Sequence, residues 1–219
     1  MNLEEIAKLK YLCEAPKDEI AMKYELEKLK SKNGVAYLKK KSSRILGVAH
    51  LDSKNEYSDF NIEEDLISCQ TLDDRLGVYT LLEELPSRGI HLDILLTDNE
   101  EDGRSTISNL DLSFFDNYNW IVEFDRKGYD FVVYDDGIPE HIIAHVERYF
   151  HKGQGTGSDI KYLRDHPTAC AFNIGIGYQE EHTEDAYMEI DVYDKQIETF
   201  VSFFNEFKNK IFNKKNKSI

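Results

Sequence analysis

The sequence predicts an α/β fold, a three-layer sandwich in which helices flank a mostly parallel, mixed β-sheet. Short, continuous apolar runs indicate strands that are buried on both faces. These runs alternate along the chain with amphipathic helical patterns, and that alternation is typical of parallel sheets. Several runs also end abruptly in acidic or histidine side chains, as residues 94–96 do before the acidic cluster 98–102. Because ligands of open α/β sheets bind at the carboxyl ends of strands, this pattern indicates a binding site.

The composition is typical of a soluble globular protein, with 41% hydrophobic and 32% charged residues in a chain of 219. That length predicts a single domain over residues 1–207, large enough to bury roughly 70% of the surface that its unfolded chain exposes. Residues 208–219 are rich in lysine and asparagine and predict a disordered, basic tail. No run approaches the about 18 consecutive apolar residues of a membrane helix, so we expect no membrane association.

Charge and cysteine content exclude further classes of protein. The formal net charge is −15, which makes nucleic acid a poor partner because phosphate binding requires a basic surface. The three cysteines, Cys13, Cys69 and Cys170, are scattered and odd in number, which argues against a disulfide framework and against a thiolate zinc site. With no secretory signal visible at the N-terminus, these features predict a cytoplasmic protein.

The N-terminal part of the chain alternates helical and strand patterns, with glycine and proline marking the element ends. The predicted elements are, in order, helices over residues 3–13 and roughly 18–31, strands over 35–38 and 45–49, a polar loop over 53–65, a helix from about 71 to 86, and the strand 92–97.

The C-terminal part continues the same alternation. Its predicted elements are a strand over residues 120–124, a short strand over 131–134 paired beside it, a helix over 142–150, a flexible glycine-rich loop over 153–157, a short helix opened by 158–159, a strand over 169–176 and a long amphipathic helix over 197–207.

Histidine and carboxylate side chains, which can bind metals or transfer protons, follow four of the predicted strands and begin one helix. They are His50 and Asp52, Asp73 and Asp74 at the helix start, Glu100 and Glu101, Asp125, and His182. Carboxylates and imidazoles gathered at one sheet edge would repel unless cations lay between them. Two metal ions about 3.5–4 Å apart, bridged by one carboxylate and one water, satisfy such a set, and zinc suits mixed nitrogen and oxygen ligands. A further carboxylate is then needed as a general base, and adjacent glutamates can divide the two tasks.

Each of these residues also has a structural interpretation. The cluster 98–102 would suit a solvated, charge-rich loop in so acidic a chain. His50 alone would suit a satisfied core histidine, Asp125 a turn residue, and His182 an acidic surface cluster. The recurrence of the pattern at successive strand ends favours the ligand interpretation over all of these.

The sequence also contains a pair of histidines at helical spacing, but this pair does not predict a metal site. His141 and His145 are four residues apart on a predicted helix, as in the zincin motif His-Glu-x-x-His. The second position of that motif is Ile142 here, so the general base is missing and we expect no metal at this pair.

The motifs resemble, in order, those of the dinuclear zinc exopeptidase superfamily. They are His-x-Asp at residues 50–52, Asp-Asp-Arg-x-Gly at 73–77, Glu-Glu-x-Gly at 100–103, Asp125 after a strand, and Gly-x-x-x-x-His-Thr at 177–183. The superfamily includes the co-catalytic zinc aminopeptidases, peptidase T, and related carboxypeptidases and deacylases. The match extends over nearly the whole chain, from about residue 3 to 207.

The resemblance implies two divalent metal ions, expected to be zinc, and a ligand for each position. Asp73 would bridge both ions. His50 and Asp125 would complete one site, and Glu101 and His182 the other.

Other roles also follow only from the resemblance. Glu100 would be the general base and then acid, although the two glutamates could exchange roles. Asp52 would hold the far nitrogen of His50, and Asp74 matches a position that follows a cis peptide bond in the family. Residues 158–159 resemble a Ser-Asp pair near the family's substrate pocket.

This chain departs from its larger relatives, many of which carry an inserted lid or dimerisation domain. The segments 53–72 and 126–181 are too short to contain one, so the chain resembles a minimal catalytic domain. Substrate selection would then depend on loops such as 53–65 and 153–157, or on a neighbouring subunit, which leaves a homo-oligomer open.

Three functional hypotheses remain at this point. The first is a zinc-dependent aminopeptidase that hydrolyses the terminal peptide bond of small peptides. The second is a metal-dependent amidohydrolase that removes an acyl group from an N-acyl amino acid or a small amide. The third is a metal-binding scaffold without turnover, against which the presence of Glu100 together with all five ligands argues.

Overall fold

A computed structural model describes residues 1–54 and 59–215. Its strands are β1 (Glu27–Ser31), β2 (Gly34–Lys39), β3 (Ile45–His50), β4 (Asn61–Glu63), β5 (Leu66–Ser68), β6 (Asp93–Thr97), β7 (Trp120–Glu123), β8 (Asp130–Val132), β9 (His151–Lys152), β10 (Ala171–Ile174), β11 (Tyr178–Gln179) and β12 (Tyr187–Glu189). Its α-helices are α1 (Leu3–Glu14), α2 (Lys17–Lys23), α3 (Leu72–Tyr79), α4 (Leu85–Ser87), α5 (Glu140–Glu147) and α6 (Ile190–Phe207). A π-helical turn, Thr80–Glu84, joins α3 to α4, and 3₁₀ helices span Thr106–Asn109, Leu112–Asn117 and Asp159–Leu163.

The main sheet is mixed and has eight strands in the order β1-β2-β6-β3-β7-β10-β8-β9. Its four central strands, β6, β3, β7 and β10, are parallel, whereas β2 and β8 run antiparallel to their central neighbours. The register aligns the carboxyl ends of the central strands, since His50 pairs with Thr97 and Val48 with Glu123. The predicted fold class is therefore confirmed, and the strand ends that carry the candidate residues lie at one edge.

Both faces of the sheet are covered, which explains why the central strands are apolar throughout. In β3, Leu46 and Val48 pack into one core with the 3₁₀ helices, whereas Ile45 and Ala49 pack into the larger core opposite. This alternation follows from the period of two in a strand. The larger core includes Trp120, which is fully buried against aromatic residues of α6.

A second, antiparallel sheet has four strands in the order β11-β12-β5-β4 and was not expected from the sequence. Its strands are only two or three residues long, so they carry too few positions for a periodic pattern. One of them, β4, lies in the segment 53–65 that was predicted to be a loop. Residues 55–58 of that segment lie outside the described residues.

Two predicted elements are wrong in part. The helix expected over residues 18–31 ends at Lys23, and β1 forms an antiparallel hairpin with β2 from Glu27 onward. The short strand β8, expected beside β7, pairs instead with β10, which lies between them. In both cases the pairing with another strand determines the structure, and the local sequence pattern does not show which strand the partner is.

Within the segment 208–219, for which a disordered tail is predicted, residues 212–214 contact the domain. Phe212 is 4% exposed, and its ring centroid lies 5.5 Å from that of Phe207. Asn213 forms an antiparallel bridge with Ala169, and Lys214 forms an ion pair with Asp135. The lysine content of this segment suggested a solvated tail, but the charge of Lys214 is paired with that of Asp135. Residues 216–219 lie outside the described part of the chain.

Across residues 1–54 and 59–215, no helix combines the length and the apolar character that a membrane span requires.

Replacing Phe212 tests whether this segment is part of the fold. We expect Phe212→Ala to lower the free energy of unfolding by about 3–5 kcal/mol, since a buried aromatic side chain is removed. The matched control is Ile211→Ala, because Ile211 is 62% exposed and its removal should change stability by no more than about 0.5 kcal/mol. Urea unfolding followed by Trp120 fluorescence measures both variants. Equally small effects would mean that the segment does not contribute to the core.

Candidate metal centre

The candidate residues converge at the carboxyl edge of the main sheet. His50 is the last residue of β3, Glu100 and Glu101 follow β6, and Asp125 follows β7. Asp73 reaches the same place from the first turn of α3. His182 follows the short strand β11 and adopts a left-handed conformation with φ of 65°.

Asp73 lies between two pairs of side chains and contacts one pair with each oxygen. Its Oδ1 is 3.2 Å from Nε2 of His50, and that same nitrogen is 3.5 Å from Asp125 Oδ1. Its Oδ2 is 2.9 Å from Nε2 of His182, which is also 2.9 Å from Glu101 Oε2. These are the two groupings that the sequence resemblance implies, with Asp73 shared between them.

Asp52 organises the neighbouring loop as well as the histidine. Its carboxylate accepts hydrogen bonds from the backbone N–H groups of Glu100 and Glu101 at 3.2 and 3.1 Å. His50 Nδ1 is 2.9 Å from the Asp52 carbonyl oxygen and 3.5 Å from its carboxylate. The expected contact with the far nitrogen is therefore made mainly through the backbone, and the carboxylate fixes the two glutamates instead.

The loop after β6 turns sharply so that the two glutamates face the site. Asn99 has a φ of 61°, a left-handed conformation that asparagine tolerates better than most residues. Glu100 lines the pocket, whereas Glu101 Oε1 is buried without a hydrogen-bond partner among the described residues. A buried, unpartnered carboxylate oxygen is costly unless a cation binds it.

Asp74 connects the helix start to the sheet. The peptide bond between Asp73 and Asp74 is cis, as the resemblance implies. The Asp74 carboxylate is fully buried and accepts hydrogen bonds at 3.1 Å from the backbone N–H groups of His50 and Gly77. A Cβ atom on Gly77 would lie 2.2 Å from Asp74 Oδ1, which explains the glycine in Asp-Asp-Arg-x-Gly.

The arginine of the same motif fastens α1 to α3. Arg75 is buried and donates hydrogen bonds to the carbonyl oxygens of Leu12 and Ala15 at 2.7 and 3.0 Å. These carbonyls lie at the C-terminal end of α1, where backbone acceptors have no partner within the helix. The motif therefore combines a candidate ligand, a sheet contact and a helix cap.

The electrostatics of the site show an excess of negative charge. Burial opposes a charge on His50, but Asp125, Asp52 and Asp73 outweigh burial and raise the pKa of this histidine well above its ordinary value. Burial, together with the charge of Asp73, raises the pKa of Asp125 well above the usual range. Burial also raises the pKa of Glu100, a change that the charges of His50 and Lys161 partly oppose.

The donor set fits divalent cations. The ligand atoms of His50, Asp73 and Glu101 all lie within 4.8 Å of one another, as do those of His50, Glu100 and Asp125. The set mixes imidazole nitrogen with carboxylate oxygen, as zinc prefers, and its carboxylates repel one another unless positive charge lies among them. Because Glu100 belongs to one of these groups, the geometry leaves the division of roles between the two glutamates open.

A pocket of about 310 Å³ opens in front of these residues. Its wall includes the loop 154–157, the aromatic residues Tyr134 and Tyr178, and the basic residues Arg126 and Lys127. The Tyr178 hydroxyl is 3.4 Å from Asp125 Oδ1. The predicted glycine-rich loop thus forms part of the pocket.

A buried polar layer behind the pocket was not identified from the sequence. Ser158 donates a hydrogen bond to Glu123, and Thr97 donates one to Asp159; all four of these residues are at most 1% exposed. The sequence contained one signal, since Glu123 is a charged residue within an otherwise apolar strand. The Ser-Asp pair lies at the start of a 3₁₀ helix, as predicted, and its contacts are with strands β7 and β6.

The two acidic residues without an assigned role have other partners. Asp98 is 5% exposed and lies 2.6 Å from Lys17 Nζ, while Asp102 forms an exposed ion pair with Arg104 at 2.8 Å. Neither belongs to the groups of ligand atoms. His145 packs against Phe207 with ring centroids 4.9 Å apart, which is a core contact.

No protein-family model and no curated protein sequence matches the chain. Solved structures are similar over nearly its whole length. Aminopeptidase PepT from Bacillus cereus ATCC 10987 is 12% identical, with a TM-score of 0.67 over 93% of this chain and 96% of that one. A tripeptidase from Staphylococcus aureus is 9% identical, with a TM-score of 0.75 over 96% of this chain and 100% of that one.

A third similar structure is the TET1 peptidase of Pyrococcus horikoshii, which can assemble into a tetrahedron or a large octahedral shell. It is 13% identical, with a TM-score of 0.62 over 90% of this chain and 98% of that one. The chain therefore has the α/β fold of these peptidases, which confirms the likeness of fold that its motifs indicate.

Proposed function

We propose that the protein is a zinc-dependent metallo-exopeptidase, an aminopeptidase that hydrolyses the terminal peptide bond of small peptides. The observation that carries the proposal is the position of Asp73 between two pairs of imidazole and carboxylate groups, with Glu100 beside them in an open pocket. The likeness of fold to an aminopeptidase and a tripeptidase supports this activity.

We assign His50 and Asp125 to one metal ion, Glu101 and His182 to the other, and Asp73 to both. Two divalent ions bound there would polarise the scissile carbonyl group and lower the pKa of the attacking water. The acidic edge of the pocket would also attract the free ammonium group of a peptide, since carboxylates concentrate positive charge near them.

The proton transfers belong to Glu100 in this proposal. Its carboxylate accepts the proton of the attacking water and then delivers it to the leaving amine. Asp52 holds the backbone of both glutamates and contacts His50, so it positions the base relative to the ligands. Burial raises the pKa of Glu100, and a higher pKa makes its carboxylate a stronger base toward the attacking water.

We further propose a homo-oligomer, because the segments 53–72 and 126–181 are too short to contain a lid domain and a neighbouring subunit could help to close the pocket. The assembly of the similar TET1 peptidase into closed shells supports this proposal.

Metal analysis tests the ligand assignment. After loading with zinc and removal of excess metal, the unmodified protein should retain two zinc ions per chain. His182→Ala should retain about one, because it removes a ligand of only one ion. The control variant is His151→Ala, which changes an exposed histidine of β9 and should retain two. One ion or none in the unmodified protein, or equal losses in both variants, would contradict the assignment.

Glu100→Gln tests the base. The amide is isosteric but cannot accept the proton, so hydrolysis should fall at least about a hundredfold while both zinc ions stay bound. Glu184→Gln, a change at an exposed acidic position near His182, is the matched control and should keep full turnover. Steady-state kinetics and metal content measure the two effects. Turnover within a few fold of the unmodified protein would remove Glu100 from the reaction.

A substrate panel separates the aminopeptidase from a deacylase with the same chemistry. Peptides with a free amino terminus should be hydrolysed faster than their N-acetylated counterparts, because an acyl cap removes the ammonium group that the acidic pocket attracts. Comparing kcat/KM for each matched pair measures this preference. A preference for the N-acyl substrates would favour the amidohydrolase hypothesis instead.

A further inference from the structure

Two of the three cysteines meet at the junction between α1 and α3, outside the candidate metal centre. Cys13 lies in the last turn of α1, and Cys69 lies between β5 and α3. Both side chains are buried in the larger core, at 3% and 2% exposure, and their thiol groups are in hydrogen-bonding contact. The cysteines are scattered in the sequence, but the fold brings these two sulfur atoms together.

The hydroxyl group of Thr71 connects the same two residues. It donates a hydrogen bond to the backbone carbonyl of Cys13 at 2.9 Å, and it lies 3.3 Å from Sγ of Cys69. Since its one proton is donated to that carbonyl, the thiol of Cys69 is the donor in the second contact. One hydroxyl group therefore ties the end of α1 to the segment 69–71.

Backbone contacts hold both cysteines in place. Arg75 donates hydrogen bonds to the carbonyl oxygens of Leu12 and Ala15, which flank Cys13. The N–H group of Cys69 donates at 3.0 Å to a carbonyl oxygen of the residue that precedes β12. Because their backbones are fixed in this way, the two sulfur atoms remain neighbours, which is the geometric condition for a disulfide bond.

A buried positive charge lies beside the two thiols. Arg75 is 8% exposed, and its Nε–H group has no hydrogen-bond partner among residues 1–54 and 59–215. Burial and the contact with Cys69 raise the pKa of the Cys13 thiol well above its ordinary value, whereas the charge of Arg75 opposes that rise. The guanidinium group thereby favours the thiolate, which is the form that oxidants attack.

We propose that Cys13 and Cys69 are a site of reversible oxidation, at which a peroxide converts the two thiols into a disulfide bond. The bond would join α1 to the segment that leads to Asp73. Because residues 13 and 69 are far apart in the chain, closing the loop between them restricts the unfolded state and stabilises the fold. The proposal does not depend on the exopeptidase activity proposed above.

The oxidation balances with one molecule of hydrogen peroxide. One thiolate attacks the peroxide, its sulfur takes up one oxygen atom as a sulfenic acid, and hydroxide leaves. The second thiol attacks the sulfenic sulfur, so that the S–S bond forms and the oxygen leaves as water. The two thiols lose two electrons, and the peroxide gains them and becomes two molecules of water. A small oxidant suits the site, since both side chains are almost fully buried.

Treatment of the reduced, full-length protein with hydrogen peroxide tests the proposal. The number of thiols that can be titrated after unfolding should fall from three to one. A protease digest should then contain one pair of peptides joined through Cys13 and Cys69. The melting temperature should rise by roughly 5–15 °C, as expected of a cross-link that closes a long loop, and dithiothreitol should reverse all three changes.

Serine variants identify the pair. Cys13→Ser and Cys69→Ser should each keep both remaining thiols after treatment and show no rise in melting temperature. Cys170→Ser is the matched control, because Cys170 is also buried but lies outside the pair, and this variant should lose both of its thiols and gain the same stability.

Three thiols that persist in the treated, unmodified protein would overturn the proposal. So would oxygen added to either cysteine without a cross-link, a bond that involves Cys170 or joins two chains, or a melting temperature that does not rise. The peptide masses come from the unmodified protein, so they decide the question even where a serine variant fails to fold.

Discussion

The contact of Asp73 with two imidazoles, one through each carboxylate oxygen, is the interaction on which the rest of the site depends. It places His50 and His182, which are far apart in sequence, on opposite sides of one carboxylate. Asp73 can reach that position because Asp74 bonds to the backbone of β3 and Arg75 caps α1. Three consecutive residues of one motif therefore position the site, the sheet edge and the first helix.

This arrangement brings several negatively charged carboxylates close together. Burial and the charge of Asp73 raise the pKa values of the neighbouring carboxyl groups of Asp125 and Glu100. Divalent cations bound there would offset both the burial and the repulsion, and carboxylate and imidazole groups are suitable ligands for them. Under the proposed function, the same acidity would favour substrates with a free ammonium group, because carboxylates attract positive charge.

The parts of the structure that the sequence predicted share one physical basis. Strands β3, β6 and β7 are buried on both faces, so their apolar runs are unbroken and their ends are sharp. Because parallel strands end at a common edge, the sequence alone predicts that residues such as His50 and Asp125 lie close together. The resemblance implies which residues share Asp73, and in the structure His50 lies 3.5 Å from Asp125 and His182 lies 2.9 Å from Glu101.

The parts that were missed depend on partners distant in sequence. Residues 27–31 carry a polar pattern that is compatible with a helix, and only pairing with β2 makes them a strand. The small second sheet consists of strands too short to show a period. Phe212 follows a basic segment whose composition indicates disorder, yet its ring is buried among aromatic residues of the core. The hydrogen bond between Ser158 and Glu123 likewise joins segments with no shared local pattern.

Anomalous diffraction from crystals of the zinc-loaded protein, recorded on both sides of the zinc absorption edge, tests the central claim most directly. The account predicts two zinc peaks about 3.5–4 Å apart, with Asp73 between them, His50 and Asp125 on one, and Glu101 and His182 on the other. A single peak, or two peaks that do not share Asp73, would contradict it.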